Sequence, residues 1–212
     1  MVWPRTQFLH DGAAGAPRRL LLAHGAGAPM DSGFMNAFAG LLAERGFRVA
    51  RFEFAYMAAR RQGTRRPPPR AEKLMQEYEA AIAALGAGAP LHIGGKSLGG
   101  RVASLVAQGQ HDKGAVSGLV CLGYPFHPPG RPANPRTAHL LDMTCPAFIA
   151  QGERDPFGGR DEIPAYGLPR SIALHWAADG DHDLAPRKSS GLAARDNWRS
   201  AADAIASWAA SL

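Results

Sequence analysis

The sequence predicts an α/β fold, a mainly parallel sheet with helices on both faces. Three observations predict it. Short apolar runs alternate with longer amphipathic stretches along the whole chain. The amphipathic stretches repeat their apolar residues at the helical period of three and four, and the apolar runs do not. A chain of 212 residues holds one layered domain, expected to span 1–212, and leaves no room for a second catalytic domain.

The elements follow in order. Arg19 to Ala23 reads as a strand ending at His24-Gly25. Asp31-Ser32 then offers an N-cap, and Phe34, Phe38, Leu41 and Leu42 mark a helix that Gly46 stops. Phe47 to Phe54 is strand-like, and Arg60 to Arg70 reads as a loop with three consecutive prolines. Leu74, Tyr78, Ile82 and Leu85 form the face of a helix ended by Gly86. Leu91 to Gly94 is the next strand and Leu98 to Gln108 the next helix. Further strands are Gly118 to Tyr124, Ala147 to Gln151 and Ser171 to Ala177, with a proline-rich loop over Pro125 to Pro135. A last helix carries Trp198, Ala202, Ile205, Ala209 and Leu212 on one stripe. Six strands with intervening helices imply a parallel sheet covered on both sides. Function in such sheets sits beyond the carboxyl ends of the strands.

Composition removes several classes. Two cysteines, Cys121 and Cys145, both in apolar surroundings, support neither a disulfide framework nor a cysteine zinc cluster. No apolar stretch approaches the roughly 18 residues of a membrane span. Met1 to His10 lack the apolar centre of a secretory signal, so the expected compartment is the cytoplasm. Arginine outnumbers lysine 20 to 4, which reads as the mark of a GC-rich bacterial genome.

The chemistry concentrates at Gly94-Gly-Lys-Ser-Leu-Gly-Gly100. Gly95 to Gly99 spells G-x-S-x-G between a strand and a helix. A nucleophile elbow needs that composition, because the serine takes a strained conformation and its neighbours two positions away must be small. The result is an exposed Ser97 hydroxyl at a helix start, where backbone N–H groups face developing negative charge. Two nucleotide-binding spellings fail on single residues. The first glycine of a phosphate loop would fall at Pro90, and the third glycine of a dinucleotide fingerprint starting at Gly25 would fall at Met30.

A serine hydroxyl needs a base, and the base needs an orienting group. On sheets with this elbow the chain order is Ser, then acid, then His. His175 and His182 lie far enough along. His175 sits inside a strand and reads as a packed residue, whereas His182 lies in the polar turn Asp179-Gly-Asp-His-Asp183 after the last strand. The loop after Tyr124 has no acid before Asp142, but the next strand ends in Gln151-Gly-Glu-Arg-Asp155-Pro. Asp155 is the expected acid and Glu153 the alternative. The oxyanion donors are expected to be the Leu98 amide and the Ala26 amide, with Gly27 as a substitute for the latter. His24 is expected to brace that loop.

These residues together resemble a known family. The run Leu21 to Asp31, the elbow, Gly123-Tyr-Pro-Phe-His-Pro-Pro-Gly130, Gln151 to Gly158 and Gly180-Asp-His-Asp183 occur in order. The chain is similar to small α/β-hydrolases related to dienelactone hydrolase. That group includes testis-expressed hydrolase-like proteins and the hydrolase-like part of a nonspecific-lethal acetyltransferase complex subunit. The resemblance implies the α/β-hydrolase fold in a minimal form without a cap domain, with Ser97, Asp155 and His182 as the triad. Ser97 stands where dienelactone hydrolase has cysteine, which argues against that narrow activity. Some relatives serve in assemblies, so the rival expectation is a non-catalytic interaction protein of the same fold.

The function expected is a serine hydrolase of the esterase type, acting on a small acyl substrate without metal or organic cofactor. Without a cap, the site should be shallow and lined by Tyr124, Phe126, His127 and Phe157. The formal charge of +6 comes from 24 basic and 18 acidic residues. Five arginines lie between Arg60 and Arg70 with no acid: Arg60, Arg61, Arg65, Arg66 and Arg70. Without them 19 basic residues face 18 acidic ones. The basic balance is therefore local, and neither a nucleic-acid nor a membrane partner is expected. The segment reads as a solvated loop, and the sharper expectation is that it recruits an anionic substrate or partner.

Overall fold

Seven strands form one sheet in the computed structural model, which describes residues 6–64 and 66–212. The strands are β1 (Leu9–Asp11), β2 (Arg18–Ala23), β3 (Phe47–Phe52), β4 (Leu91–Lys96), β5 (Gly118–Leu122), β6 (Ala147–Gly152) and β7 (Ile172–Ala177). Their spatial order is β1-β3-β2-β4-β5-β6-β7. Every pair is parallel except β1 with β3, which is antiparallel at the edge.

The alternation of side chains assigns the layers. Leu20 and Leu22 of β2, Val120 and Leu122 of β5, and Phe148 and Ala150 of β6 point to one face. There they meet helix α1 (Gly33–Ala43) through Met35, Phe38 and Leu42, and α5 (Ala194–Ala210) through Ala202, Ile205 and Ala209. Leu21, Ala23, Leu119, Cys121, Ala147 and Ile149 point to the other face. That face receives Tyr78 and Ile82 of α3 (Met75–Leu85), and Val102 and Val106 of α4 (Leu98–Asp112). Strands buried on both sides need runs without polar interruption, as Leu20-Leu-Leu-Ala23 supplies. Each fully buried Leu or Phe here contributes roughly 1.5–3 kcal/mol relative to exposure.

The structure departs from expectation in identifiable places. Strand β1 was not expected; it is three residues long and mostly exposed, so no apolar pattern marks it. Helix α2 (Ala55–Arg61) takes in Arg60 and Arg61, which the sequence assigned to a loop. Arg65 lies outside the described residues. The strand expected over Phe47 to Phe54 ends at Phe52, and that over Gly118 to Tyr124 ends at Leu122. In the second case Gly123, at φ 65°, turns the chain inward. Among the described residues, loops and helices follow the strand ends, with no cap domain. No described helix is long and apolar enough to cross a membrane.

Candidate active site

The parallel strands end on one edge, and four of those ends build the site. Strand β4 stops at Lys96 and α4 starts at Leu98, leaving Ser97 alone between them at φ 51° and ψ −113°. A non-glycine residue there carries strain on the order of 1–3 kcal/mol. The glycines on either side make the turn possible. A Cβ on Gly95 would stand 2.5 Å from the Ala23 carbonyl oxygen, and one on Gly99 would stand 2.6 Å from that of His24. The first turn of α4 thus lies directly against the end of β2. The Ser97 amide donates to the Leu122 carbonyl (3.1 Å) and ties the turn to β5.

The Ser97 hydroxyl lies 2.8 Å from His182 Nε2, and His182 Nδ1 lies 2.8 Å from Asp155 Oδ2. Carboxylate, imidazole and hydroxyl therefore form one hydrogen-bonded line across β4, β6 and β7. Asp155 is 2 % exposed. Its Oδ1 accepts from the Phe157 amide (2.9 Å), and its Oδ2 also accepts from Gln151 Nε2 (2.8 Å). Gln151 is fully buried in β6, and its Oε1 accepts from the Tyr124 amide (2.7 Å). It locks the turn after β5 to the turn after β6. The Phe157 ring packs on the His182 ring with centroids 4.3 Å apart.

Lys96 holds the histidine loop from below. Its Nζ donates to the His182 carbonyl (2.5 Å), pairs with Asp183 (3.1 Å) and sits 5.3 Å from the Phe34 ring centroid. Burial lowers its pKa from the ordinary lysine value, and Asp183 opposes that shift. Gly123 must be small for the same loop to pass, because a Cβ there would stand 2.6 Å from the His182 carbonyl oxygen.

Two backbone segments border the serine, the start of α4 and the loop after β2. Leu98 is the first residue of α4, and helix-start amides have no partner inside the helix. The loop after β2 is pinned by its carbonyls. His24 Nδ1–H donates to the Gly25 carbonyl (2.6 Å), while its Nε2 accepts from the Phe54 amide (3.2 Å). That pairing requires the neutral ring, and burial holds the His24 pKa below the usual histidine value. The Tyr56 hydroxyl reaches the Gly25 and Ala26 carbonyls at 3.3 and 3.2 Å. The peptide bonds are trans, so N–H and C=O point in opposite directions. The Ala26 and Gly27 amides are thereby turned away from Tyr56. Ala26, Ser97 and Leu98 line one cleft of about 460 Å³.

Other expected residues lie elsewhere. Glu153 bonds the Asp179 amide (2.9 Å) and pairs with Arg160; these contacts hold its pKa below the ordinary glutamate value, the amide foremost. It does not meet His182. His175 stays in β7, 6.1 Å from the Phe148 ring. Tyr124 and Phe126 do not line the cleft. Both are fully buried, because Gly123 directs the following residues into the core, and the Tyr124 hydroxyl donates to the Arg136 carbonyl (3.0 Å). His127 is also buried, with Nε2 2.9 Å from Glu162 Oε2. Phe157, of the expected lining residues, does stand in the cleft, and its other walls come from Pro68, Pro69, Pro125, Arg101 and Arg136. Gln151, Lys96 and Tyr56 escaped the sequence reading. Lys96 occupies a variable position of the elbow motif, Gln151 opens the run to Gly158 without a role assigned to it, and Tyr56 belongs to no motif. Among the described residues no group of three His, Cys, Asp or Glu could hold a metal ion.

Comparison with solved structures finds the same architecture in several hydrolases. The ferulic-acid-bound Est1E of Butyrivibrio proteoclasticus superposes with a TM-score of 0.72 at 12% identity, covering 97% of this chain and 96% of that one. A serine hydrolase without a lid from Xanthomonas campestris gives 0.71 at 16% identity, over 96% and 89%. Dienelactone hydrolase of Anabaena variabilis gives 0.69 at 17% identity, over 96% and 90%. The family described as alpha/beta hydrolase domain matches residues 16–210. A match across nearly the whole chain, on a seven-stranded sheet of this topology, makes the protein a member of the α/β-hydrolase family.

Proposed function

We propose that this protein is a serine hydrolase that cleaves small carboxylic esters or thioesters through an acyl-enzyme. One observation carries the reading: the unbroken line from Asp155 through His182 to Ser97, with 2.8 Å at each junction. A turn that served packing alone would gain nothing from a serine held at φ 51°. The same strain argues against a purely structural member of the fold.

In this mechanism Ser97 Oγ attacks the acyl carbonyl as His182 Nε2 takes its proton. Asp155 fixes the ring tautomer and stabilises the imidazolium. The carbonyl oxygen becomes an oxyanion and accepts from the Leu98 and Ala26 amides. Such a donor is worth about 10²–10³ in rate. His182 returns the proton to the leaving alcohol or thiol, and the C–O or C–S bond breaks. Water then adds to the acyl-enzyme with His182 as base, and releases the acid and free Ser97. The test is labelling with a fluorophosphonate probe. Wild type should label and Ser97→Ala should not; equal labelling of both, or of neither, overturns the reading.

A further inference from the structure

The charge inside the cleft is more specific than the charge of the chain. Among the described residues three arginines line it, Arg70, Arg101 and Arg136, against one carboxylate, Glu72. Of the described arginines in the segment Arg60 to Arg70, Arg70 is the one that lines it. Arg61 is engaged by Glu53 and Asp31, each at 2.7 Å, and Arg60 lies over the Tyr56 ring at 6.0 Å.

Arg101 sits one helical turn beyond the nucleophile, its amide donating to the Ser97 carbonyl (2.9 Å). Its guanidinium pairs with Glu72 (2.7 Å), but its Nε is buried without a hydrogen-bond partner among the described residues. Arg136 is half-buried and its backbone is clamped at both ends. Its amide donates to Phe126 (2.6 Å) and its carbonyl accepts from Tyr124 (3.0 Å). No described carboxylate forms an ion pair with its side chain. Burial, and then the neighbouring Arg101, push its pKa below the ordinary arginine value. Two guanidinium groups thus line one cleft with proline and phenylalanine walls, and the carboxylate that lines it among the described residues, Glu72, is taken up by Arg101. A guanidinium is planar and presents forked donors that fit a carboxylate in two parallel hydrogen bonds. Apolar walls strengthen that attraction relative to open water.

We infer that Arg136, with Arg101 beside it, forms an anion subsite in the Ser97 cleft, and that the preferred substrates are small esters carrying a second, free carboxylate. The inference rests on the proposed role of Ser97 for its catalytic part and on the cleft alone for its binding part. A volume of about 460 Å³ suits such a compact substrate.

Two measurements test it separately from the nucleophile. The first is the ratio of kcat/KM for p-nitrophenyl hemisuccinate to that for p-nitrophenyl butyrate. Both substrates report the same active fraction, so a poorly folded variant does not distort the ratio. Arg136→Gln should lower it about 10–100-fold, the loss of one charge-assisted pair, and Arg136→Lys should lower it less. An unchanged ratio overturns the subsite. The second is calorimetric titration of succinate, at low salt, into wild type, Ser97→Ala and Arg136→Gln. Succinate should bind the first two alike and the third at least 10-fold more weakly. If wild type hydrolyses neither ester but succinate still binds through Arg136, only the catalytic reading fails. If succinate does not bind wild type, the subsite is rejected whatever Ser97 does.

Discussion

Two histidines at opposite ends of β4 and β7 show what separates a reactive edge from a packed one. His92, at the amino end of β4, is 1 % exposed and lies between the Phe47 and Trp208 rings at 6.0 and 5.7 Å. Neither of its ring nitrogens has a hydrogen-bond partner among the described residues. His182, beyond the carboxyl end of β7, has both nitrogens engaged at 2.8 Å, one by a carboxylate and one by a hydroxyl. Cavity size does not separate the two ends. The groove beside His92 measures about 590 Å³, larger than the cleft at Ser97. What differs is convergence. Parallel strands deliver their turns and the α4 start to one edge only, so polar side chains can be set against each other there.

The comparison breaks most visibly by exchanging the histidines' roles. His182→Ala should lower kcat on p-nitrophenyl butyrate by about 10⁴-fold or more, whereas His92→Phe should leave steady-state turnover near wild type. Comparable losses in both would dissolve the distinction. The acids give the next largest contrast. Asp155→Asn should lower kcat by about 10³–10⁴-fold, because the amide favours the wrong tautomer of His182. Glu153→Gln, which disturbs a surface network with Arg160 and Asp179, should cost no more than a few-fold in the same assay. A larger loss in the Glu153 variant would move the acid.

The smallest effect concerns stability. Burial pushes the His92 pKa down to about 4, and that of His139, also chiefly through burial, to about 4. In the unfolded chain both return to about 6.5. Between those values the unfolded state binds more protons than the folded one, so stability falls as pH drops from about 6.5 towards about 4. One such histidine gives a slope of at most about 1.4 kcal/mol per pH unit. Denaturant midpoints measured between pH 7 and 4.5 should therefore decline, and His92→Phe should flatten the decline without removing it. An identical slope in the variant would mean that His92 is not held neutral.

The same contrast explains what was legible in the sequence. The central strands were readable because both faces are buried, which leaves runs such as Leu20-Leu-Leu-Ala23. The elbow was readable because backbone crowding admits only glycine around Ser97. Residues whose role comes from a distant neighbour were not. Gln151 is one polar residue in an apolar strand, and nothing local says that it bridges Tyr124 and Asp155. Tyr124, Phe126 and His127 follow a strand on the reactive edge and were expected at its surface, but one left-handed glycine sends them inward. Arg101 and Arg136 are 35 positions apart and meet only through the cleft. The arginine-rich segment drew attention by density, yet Arg61 is taken up by Glu53 and Asp31 and Arg60 lies over the Tyr56 ring.

The central claim is that convergence at the carboxyl edge makes Ser97 a nucleophile. The most direct measurement is the mass of the intact chain after fluorophosphonate treatment, followed by tryptic mapping of the label. Cleavage after Lys96 and Arg101 releases Ser97-Leu-Gly-Gly-Arg101 as its own peptide. The account predicts one label per chain, on that peptide, lost in His182→Ala. A label elsewhere, or equal labelling in the His182 variant, would contradict it.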